Sequence, residues 1–382
     1  MGVAEVADKI INNHHNHHMR IEESLCSRFR TPKSGCSQCA DICPVGAISI
    51  SDKGVEITGE CTDCGVCLSV CPNSVFMMKE GDNEKIIDEI RSKVKGQGSE
   101  ILNISCQRGD SRADLIVPCL GRLTEAMLIE PIKVGISTIE ILQPECVGCP
   151  NSKVSLHIER VINRVLTLYE MVGRGKGTLT IKRIPLQPLS KKPEKSVSRR
   201  DFLFSFRTKA VEVAAASLPE VGTEGDEKET FIEVINKRHE GLKRRLLMEA
   251  LKGFPSSKEV HMQSADAMLA EIVVFSKCTA CGVCTTLCPT GALTQRWEDE
   301  HFYLSFNPSL CTNCRVCIET CMAKAMGIKK TARLNYLLED TEIKVFEAKR
   351  KTCSVCRIDF ISTGSGIIGE AESPQCTDIC PH

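Results

Sequence analysis

The chain has 382 residues, and its 49 basic and 49 acidic side chains give a formal net charge of zero. This balance argues against nucleic acid or an anionic membrane surface as the main partner. One Trp and three Tyr leave little for aromatic stacking on a substrate. The length favours several small domains over one large core.

Cysteine dominates the composition, with 24 residues. Such a density is typical either of disulfides in secreted proteins or of thiolate metal ligands in a reducing compartment. The N-terminal MGVAEVADKIINNHHNHHMR has no apolar core, and Glu5 and Asp8 stand where a signal peptide carries positive charge. No apolar run reaches the length of a membrane span. Most cysteines also form C-x2-C pairs, so we predict a cytoplasmic metal protein without a membrane span.

The first cysteine-rich segment ends in CTDCGVCLSVCP, which holds Cys61, Cys64, Cys67 and Cys71. This run resembles the [4Fe–4S] motif of bacterial two-cluster ferredoxins, in which the fourth cysteine binds the other cluster. In the upstream copy, KSGCSQCADICP, Lys33 takes the place of the first cysteine. A protonated lysine has no lone pair to offer iron.

The crossover rule divides the cysteines of this unit between two clusters. One cluster receives Cys43, Cys61, Cys64 and Cys67. The other receives Cys36, Cys39 and Cys71 and lacks one thiolate. We expect Cys26 to complete it, because no other unclaimed cysteine lies nearby and the intervening SRFRTPKSG can fold back as a loop. The alternative is a [3Fe–4S] centre on three thiolates.

Strands and helices alternate after this unit. GDNEKIIDEIRSKVK is predicted to be an amphipathic helix, with Ile86, Ile87, Ile90 and Val94 on one face. From about residue 100, ILNIS, ADLIVP, TIEILQ and TLTIKRIPL are predicted strands. TEAMLIEPIKVG, interrupted at Pro131, and SLHIERVINRVLTLYEMVG are predicted helices. This order predicts a small parallel α/β layer domain, followed by the polar linker QPLSKKPEKS.

Four cysteines follow the strands of this predicted domain. Cys106 and Cys119 come after the first two strands, and Cys146 and Cys149 come after the third. Because the carboxyl ends of parallel strands lie along one edge, the four thiols should converge there. The alternative is a redox dithiol at Cys146 and Cys149 beside two buried structural cysteines.

Residues 100–186 resemble the iron–sulfur domain of the delta subunit of methyl-viologen-reducing hydrogenase. The matching features are a strand-borne first cysteine, the C-x-G-R turn that begins at Cys119, and a strand followed by paired cysteines. The resemblance implies a [2Fe–2S] cluster on the four cysteines and electron transfer between a hydrogenase or formate dehydrogenase and heterodisulfide reductase. The last pair, Cys146-x2-Cys149, is more widely spaced in that family, which leaves the cluster type open.

The C-terminal half repeats the ferredoxin pattern after a predicted helical stretch at about residues 198–255. CTACGVCTTLCP and CTNCRVCIETCM are complete motifs in tandem. The crossover rule assigns one cluster to Cys278, Cys281, Cys284 and Cys321, and the other to Cys288, Cys311, Cys314 and Cys317. The last four cysteines are Cys353, Cys356, Cys376 and Cys380. Their C-x3-C-P ending favours a fifth [4Fe–4S] cluster, with a zinc ribbon as the alternative.

We therefore predict an α+β multidomain chain with two ferredoxin-like 2[4Fe–4S] units, a small parallel α/β domain of flavodoxin or thioredoxin type, and a helical insert. The predicted domains are 20–80, 98–188, 197–256, 268–335 and a cysteine-rich tail at 345–382. The predicted function is relay of single electrons within a larger anaerobic oxidoreductase complex, between redox protein subunits and without catalysis by this chain alone. Two alternatives are a thiol/disulfide oxidoreductase acting at the middle domain and a non-catalytic iron–sulfur sensor or scaffold.

Overall fold

The computed structural model describes residues 19–362, except residues 52–53, 80–81, 98–99, 189–229, 237 and 239. Most of the predicted linker, the first part of the predicted helical insert, and Cys376 and Cys380 therefore lie outside the described residues. Of the predicted tail cluster, only Cys353 and Cys356 can be placed.

The first cysteine-rich unit consists of two short antiparallel strand pairs and three short helices. The strands are β1 Met19–Ile21, β2 Ile48–Ser51, β3 Gly54–Ile57 and β4 Phe76–Met78, and the helices are α1 Ser27–Arg30, α2 Gln38–Ile42 and α3 Val66–Val70. Strand β1 pairs with β4, and β2 pairs with β3. Helices α2 and α3 each contain one motif cysteine and end at the next. The C-x3-C spacing thus places two thiols on one face of a helical turn.

The middle of the chain forms a parallel sheet covered by helices. Its elements are α4 Asn83–Gln97, β5 Ile101–Cys106, β6 Leu115–Val117, α5 Glu125–Lys133, β7 Thr138–Pro144, α6 Ser155–Met171 and β8 Leu179–Ile184. The strand order is β6-β5-β7-β8, and all neighbours are parallel. The four strands expected from the sequence are therefore present. Helix α5 continues two residues beyond Pro131, where the sequence predicted an interruption.

Two helices follow the part of the chain that is not described. They are α7 Phe231–Asn236 and α8 Leu242–Leu251. Helix α8 buries Leu246, Leu247 and Ala250 in the same core as the parallel sheet. Lys133 at the end of α5 donates a hydrogen bond to the carbonyl of Glu249. These contacts place α8 between the middle domain and the second cysteine-rich unit, which contributes Leu334 to the same core.

The second cysteine-rich unit repeats the first and adds a larger sheet. Its elements are β9 His261–Gln263, β10 Ile272–Val274, α9 Val283–Thr286, β11 Leu293–Glu298, β12 His301–Phe306, α10 Val316–Glu319, β13 Met326–Ile328, β14 Thr331–Arg333, β15 Ile343–Thr352 and β16 Asp359–Ser362. Strand β10 pairs with β13, and β9 with β14. Strands β11-β12-β15-β16 form an antiparallel sheet. Neither β15 nor β16 was predicted from the sequence; in β15, charged and exposed side chains hide the alternation of a strand.

The units are joined by buried hydrogen bonds. Ser69 in α3 donates to the carbonyl of Leu123 at 2.6 Å, which ties the first unit to the middle domain. Thr312 donates to the side-chain oxygen of Asn73, also at 2.6 Å, which ties the two cysteine-rich units together. In the described ranges, no helix combines the length and the apolar character needed to cross a membrane.

Candidate iron–sulfur sites

All 22 cysteines within the described residues are free thiols. We name five groups of four by the assignments made above. Group A is Cys26, Cys36, Cys39 and Cys71; group B is Cys43, Cys61, Cys64 and Cys67; group C is Cys106, Cys119, Cys146 and Cys149. Group D is Cys278, Cys281, Cys284 and Cys321, and group E is Cys288, Cys311, Cys314 and Cys317.

Group A surrounds one cavity, and Cys26 takes part in its lining together with Cys36, Cys39 and Cys71. Cys26 lies between a 3-10 turn, Glu23–Leu25, and helix α1. Asn73 holds this segment against the end of the motif, because its side-chain amide donates to the carbonyl of Leu25 at 3.0 Å and to the hydroxyl of Ser27 at 3.1 Å. The fold thus brings an upstream thiol to the incomplete motif.

The thiols of group A influence one another electrostatically. Burial is the main cause that raises the pKa of Cys39 to about 12, and Cys71, Cys36 and Cys26 raise it further. Four thiolates packed this closely need positive charge among them, and the iron ions of a cluster supply it. The donor set therefore fits a four-thiolate iron–sulfur cluster.

Group B lines a second cavity, with all four of its cysteines in the wall. In its loop, Asp63 and Gly65 have positive φ values of 51° and 75°. Alternation of left- and right-handed residues turns successive N–H groups to one side, which favours an anionic centre. The N–H of Asp63 donates to the sulfur of Cys61 at 3.4 Å, and that of Ala47 donates to Cys43 at 3.3 Å.

The loops of groups D and E repeat this backbone pattern. The positive φ values are 53° at Ala280, 75° at Gly282, 57° at Asn313 and 64° at Arg315. All four cysteines of group E line one cavity. In group D, burial raises the pKa of Cys284 to about 12, with further increases from Cys278, Cys281 and Cys321. The structure thus brings the cysteines of each group together.

The loop of group A differs from these three. None of residues 33–38 has a positive φ. The side chain of Lys33 contacts the sulfur of Met322 in the second unit. The N–H of Cys36 donates to the hydroxyl of Ser34 at 3.3 Å. The segment without the first motif cysteine therefore also lacks the backbone conformation found in the loops of groups B, D and E.

Group C lies at one edge of the parallel sheet. Cys106 ends β5, Cys119 follows β6 by two residues, and Cys146 follows β7 by two residues. Because β5 lies between β6 and β7, these strand ends are neighbours. Burial is the main cause that raises the pKa of Cys106, and Cys146 and Cys149 add to it. The neighbouring strand ends and these electrostatic relations agree with the predicted convergence of four thiols, which stays a prediction.

The C-x-G-R turn positions group C beside group B. A Cβ on Gly121 would lie 3.0 Å from side-chain atoms of Val154, so glycine lets the turn pack closely against the segment just before helix α6. Arg122 is buried, and a Cβ on Gly65 would lie 2.8 Å from its side chain. The arginine thus fills the space between the C-x-G-R turn and the loop of group B.

Buried cations are the functional residues that sequence reasoning missed. Arg30 is only 1% exposed and donates to the carbonyls of Ser24, Ile235 and Leu287 at 2.6, 3.1 and 3.4 Å. Burial lowers its pKa, while Cys288 and Cys314 of group E raise it. Arg244, likewise buried, donates to the carbonyl of Cys311 at 2.6 Å. No motif marks such residues, since their role depends on contacts far along the chain.

Electrostatic influence between cysteines, together with one shared cavity, relates the five groups to one another. Cys119 of group C lies within electrostatic range of Cys64 of group B. Cys67 of group B has the same relation to Cys71 and Cys39 of group A. Cys36 of group A and Cys314 of group E line one further cavity. Cys317 of group E is influenced by Cys284 of group D. The order is C–B–A–E–D, which differs from the order along the chain.

The described residues contain no site for a single metal ion. There, no three Cys, His, Asp or Glu side chains converge where one metal ion would sit. Of the tail cysteines, Cys353 is buried and Cys356 exposed, in the turn between β15 and β16. The predicted tail site, iron–sulfur or zinc, stays a prediction because its other two cysteines lie outside the described residues.

Comparison with known proteins agrees with this chemistry. Residues 277–325 match the 4Fe-4S dicluster domain. Over 63 residues the chain is 35% identical to a ferredoxin of Methanocaldococcus jannaschii, a match that covers 16% of this chain and 82% of that protein. The chain belongs to the ferredoxins. The motif-based prediction of ferredoxin-type [4Fe–4S] binding and electron transfer is thereby confirmed.

Two other relatives match this chain over short segments. Polyferredoxin protein MvhB of Methanothermobacter marburgensis is 35% identical over 63 residues, which is 14% of this chain and 15% of that protein. A component of the ion-translocating oxidoreductase complex of Methanosarcina acetivorans is 39% identical over 46 residues, which is 12% of this chain and 17% of that protein. The chain thus spans less than a fifth of either relative.

Proposed function

We propose that this ferredoxin is an electron-relay subunit of a larger redox complex and that it passes single electrons along the series C–B–A–E–D. An iron–sulfur cluster bound by thiolates exchanges one electron with little structural change. Electrostatic influence between cysteines relates C to B, B to A and E to D, and groups A and E each contribute a cysteine to one cavity; these relations support a series. This series of related groups is the observation that carries the proposal.

The two ends of the series reach the surface. In group C, the turn between Cys146 and Cys149 presents Val147, which is 87% exposed. In group D, Cys281 is itself exposed. The cysteines of groups A and B are mostly buried. An electron donor and an electron acceptor would therefore dock at opposite ends. One relative is a subunit of an ion-translocating oxidoreductase complex, which supports a place for this chain in a larger assembly.

The finer architecture belongs to the same proposal. Two 2[4Fe–4S] units at 20–80 and 268–335 would flank a flavodoxin- or thioredoxin-like domain at 98–188 and a helical insert at 197–256, with a cysteine-rich tail at 345–382. Group C would hold a [2Fe–2S] cluster, as the resemblance to the hydrogenase delta subunit implies. The tail would hold a fifth [4Fe–4S] cluster or zinc, and the complex would work anaerobically in the cytoplasm.

A thiol/disulfide oxidoreductase at Cys146 and Cys149 is less well supported. The pair lies in an exposed turn, where Gly148 has a φ of 76°. However, both thiols influence Cys106 electrostatically, and Cys149 and Cys106 influence Cys119. A simple dithiol needs neither of these buried neighbours. The four-cysteine arrangement therefore favours a cluster.

Iron content and magnetic coupling test the relay. Protein purified without oxygen should contain about 18 irons per chain, or about 22 if the tail also binds a [4Fe–4S] cluster. In the fully reduced protein, EPR signals should show coupling between neighbouring sites. Cys36→Ala/Cys39→Ala should remove group A and leave two uncoupled pairs, C with B and E with D. About eight irons, or signals that are uncoupled in the wild type, would contradict the relay.

A further inference from the structure

Helix α8 begins against the segment that follows the last cysteine of group A. A Cβ on Gly241, the residue just before the helix, would lie 2.8 Å from the carbonyl oxygen of Asn73 and from the hydroxyl oxygen of Ser74. The backbone N–H of Lys243 donates to the same hydroxyl at 2.9 Å. Asn73 and Ser74 come shortly after Cys71 in the sequence. The start of α8 is therefore held close to a cysteine of group A.

The side chain of Lys243 brings a buried positive charge to group A. Its ammonium donates to the carbonyl of Ser69, in the helix that ends at Cys71. Burial is the main cause that raises the pKa of Cys71 to about 11, and Lys243 opposes this rise. Burial lowers the pKa of Lys243, whereas Glu125 and Cys71 favour its charged form. Glu125 lies 3.9 Å from the ammonium but 3.1 Å from Arg164, so it does not cancel the charge of Lys243.

The next residue, Arg244, brings a second buried positive charge to group E. It is only 4% exposed, and its Nη2 atom donates to the carbonyls of Cys311 and Met268 at 2.6 and 2.5 Å. Burial is the main cause that lowers the pKa of Arg244, and Cys311 opposes it more strongly than Glu125 and Glu240 do. Burial raises the pKa of Cys311, and Arg244 counteracts part of that rise. The guanidinium therefore acts mainly on a cysteine of group E.

The helical backbone explains how two adjacent residues serve two different groups. Consecutive side chains of an α-helix leave its axis about 100° apart, because one turn takes about 3.6 residues. Lys243 and Arg244 both line the cavity to which groups A and E contribute Cys36 and Cys314. In the proposed relay, the step between A and E is the one that joins the two ferredoxin-like units. Helix α8 therefore supplies one cation to each side of that step.

We propose that Lys243 and Arg244 set the reduction potentials of groups A and E, and that α8 thereby controls the passage of electrons between the two ferredoxin-like units. This inference rests on the proposed relay. In the step between A and E, one group loses the electron that the other gains, and no proton moves. Reduction adds a negative charge to a site already surrounded by four thiolates, so a buried cation nearby favours the reduced state.

Potentiometric EPR titration of the full chain with its clusters loaded tests the proposal. Lys243→Met should make reduction of group A about tenfold less favourable, which is about 59 mV for one electron, and Arg244→Met should do the same to group E. Each variant should change its own group more than the other. Lys243→Arg and Arg244→Lys keep the charge and should stay within about twofold of the wild type. The matched control, Arg245→Gln, alters the exposed next residue of α8 and should leave both potentials unchanged.

Two further sets of variants make the titration decisive. The signal of group A is the one lost in Cys36→Ala/Cys39→Ala, and that of group E is the one lost in Cys314→Ala/Cys317→Ala. Glu125→Gln removes the carboxylate beside the ammonium and should make reduction of group A about threefold more favourable, a change of opposite sign. This variant decides the matter if a methionine variant loses iron.

Three results would overturn the proposal. The first is unchanged potentials in both methionine variants, or in Glu125→Gln where those variants lose iron. The second is a shift in Lys243→Arg and Arg244→Lys as large as in the methionine variants, which would assign the effect to packing. The third is an equal shift in Arg245→Gln. Unchanged potentials with intact EPR coupling would refute this inference alone, whereas uncoupled signals in the wild type would refute the relay.

Discussion

The two ferredoxin-like units bring four cysteines to one site in different ways. In the second unit, both motif loops place left-handed residues between their cysteines, at Ala280 and Gly282 and again at Asn313 and Arg315. In the first unit, the loop that begins at Lys33 has neither the first cysteine nor any left-handed residue. A thiol from an upstream segment, Cys26, lines the cavity in its place. A four-thiolate site therefore depends on where the thiols converge, and a complete local motif is one of several ways to achieve this.

The largest expected effect comes from Cys26→Ser. If Cys26 is the fourth ligand of group A, the variant loses about four irons per chain, or retains a three-iron centre with a new EPR signal in the oxidised state. Restoring the motif cysteine with Lys33→Cys should not rescue the variant, because the loop lacks the left-handed conformation. Iron analysis and EPR of the single and double variants check this. Wild-type iron in Cys26→Ser would remove the difference between the two units.

Removing the side chain of Asn73, which clamps the Cys26 segment through its hydrogen bonds, should have the next largest effect. Asn73→Ala deletes bonds to Leu25 and Ser27 and leaves Thr312 without its buried acceptor. We expect a loss of about 2 to 4 kcal/mol in the free energy of unfolding. Thr290→Ala, at the equivalent position after Cys288-Pro289, should cost less, since the hydroxyl of Thr290 contacts only a cysteine sulfur, at 3.8 Å. Anaerobic denaturant unfolding measures both, and equal losses would contradict the clamp.

Arg30, the buried cation at the junction of the units, should affect the reduction potential of group E more than it affects the stability of the first unit. Arg30→Gln removes a buried positive charge near Cys288 and Cys314. The reduced cluster of group E then loses stabilisation, and its reduction potential should fall by roughly 50 to 100 mV. Arg20→Gln, which alters an exposed arginine of the same unit, serves as the control. Potentiometric EPR titration compares them. An unchanged potential in Arg30→Gln would show that the guanidinium acts only through its hydrogen bonds.

The smallest effect concerns pH and the attachment of the first unit to the middle domain. Burial lowers the pKa of His157 to about 4; Lys243, Arg164 and Arg160 also lower it, and Glu125 opposes them. The ring contacts the hydroxyl of Ser69 at 2.8 Å. The unfolded chain takes up this proton near pH 6.5, whereas the folded chain resists it until about pH 4. Stability should therefore fall by about 1 kcal/mol between about pH 7 and about pH 5.5.

His157→Gln should flatten this pH dependence, because glutamine does not titrate and still offers a hydrogen bond to Ser69. Denaturant unfolding at the two pH values provides the measurement. A wild-type slope in the variant would assign the effect to other groups.

Much of the site could be predicted from the sequence, because the cysteine spacing is local. The motifs identify ligands within each loop, and strand periodicity placed Cys106, Cys119 and Cys146 at neighbouring strand ends. The order of the groups could not be predicted, since it depends on packing between units. Arg30 and Arg244 were missed for the same reason: their partners lie far along the chain. Strand β15 was missed because its charged, exposed residues hide the alternation that marks a strand.

The hydrogen bonds of Arg30 also have a consequence for synthesis on the ribosome. Two of its carbonyl partners, Ile235 and Leu287, lie 205 and 257 residues downstream. At roughly 5 to 20 residues per second, the first of these emerges about 10 to 40 seconds after Arg30 itself. The cysteines of groups A and B are all translated well before that moment. A nascent chain thus exposes the cysteines of groups A and B before Arg30 can bond to the second half, and both of these bonds can form only once Leu287 has been translated.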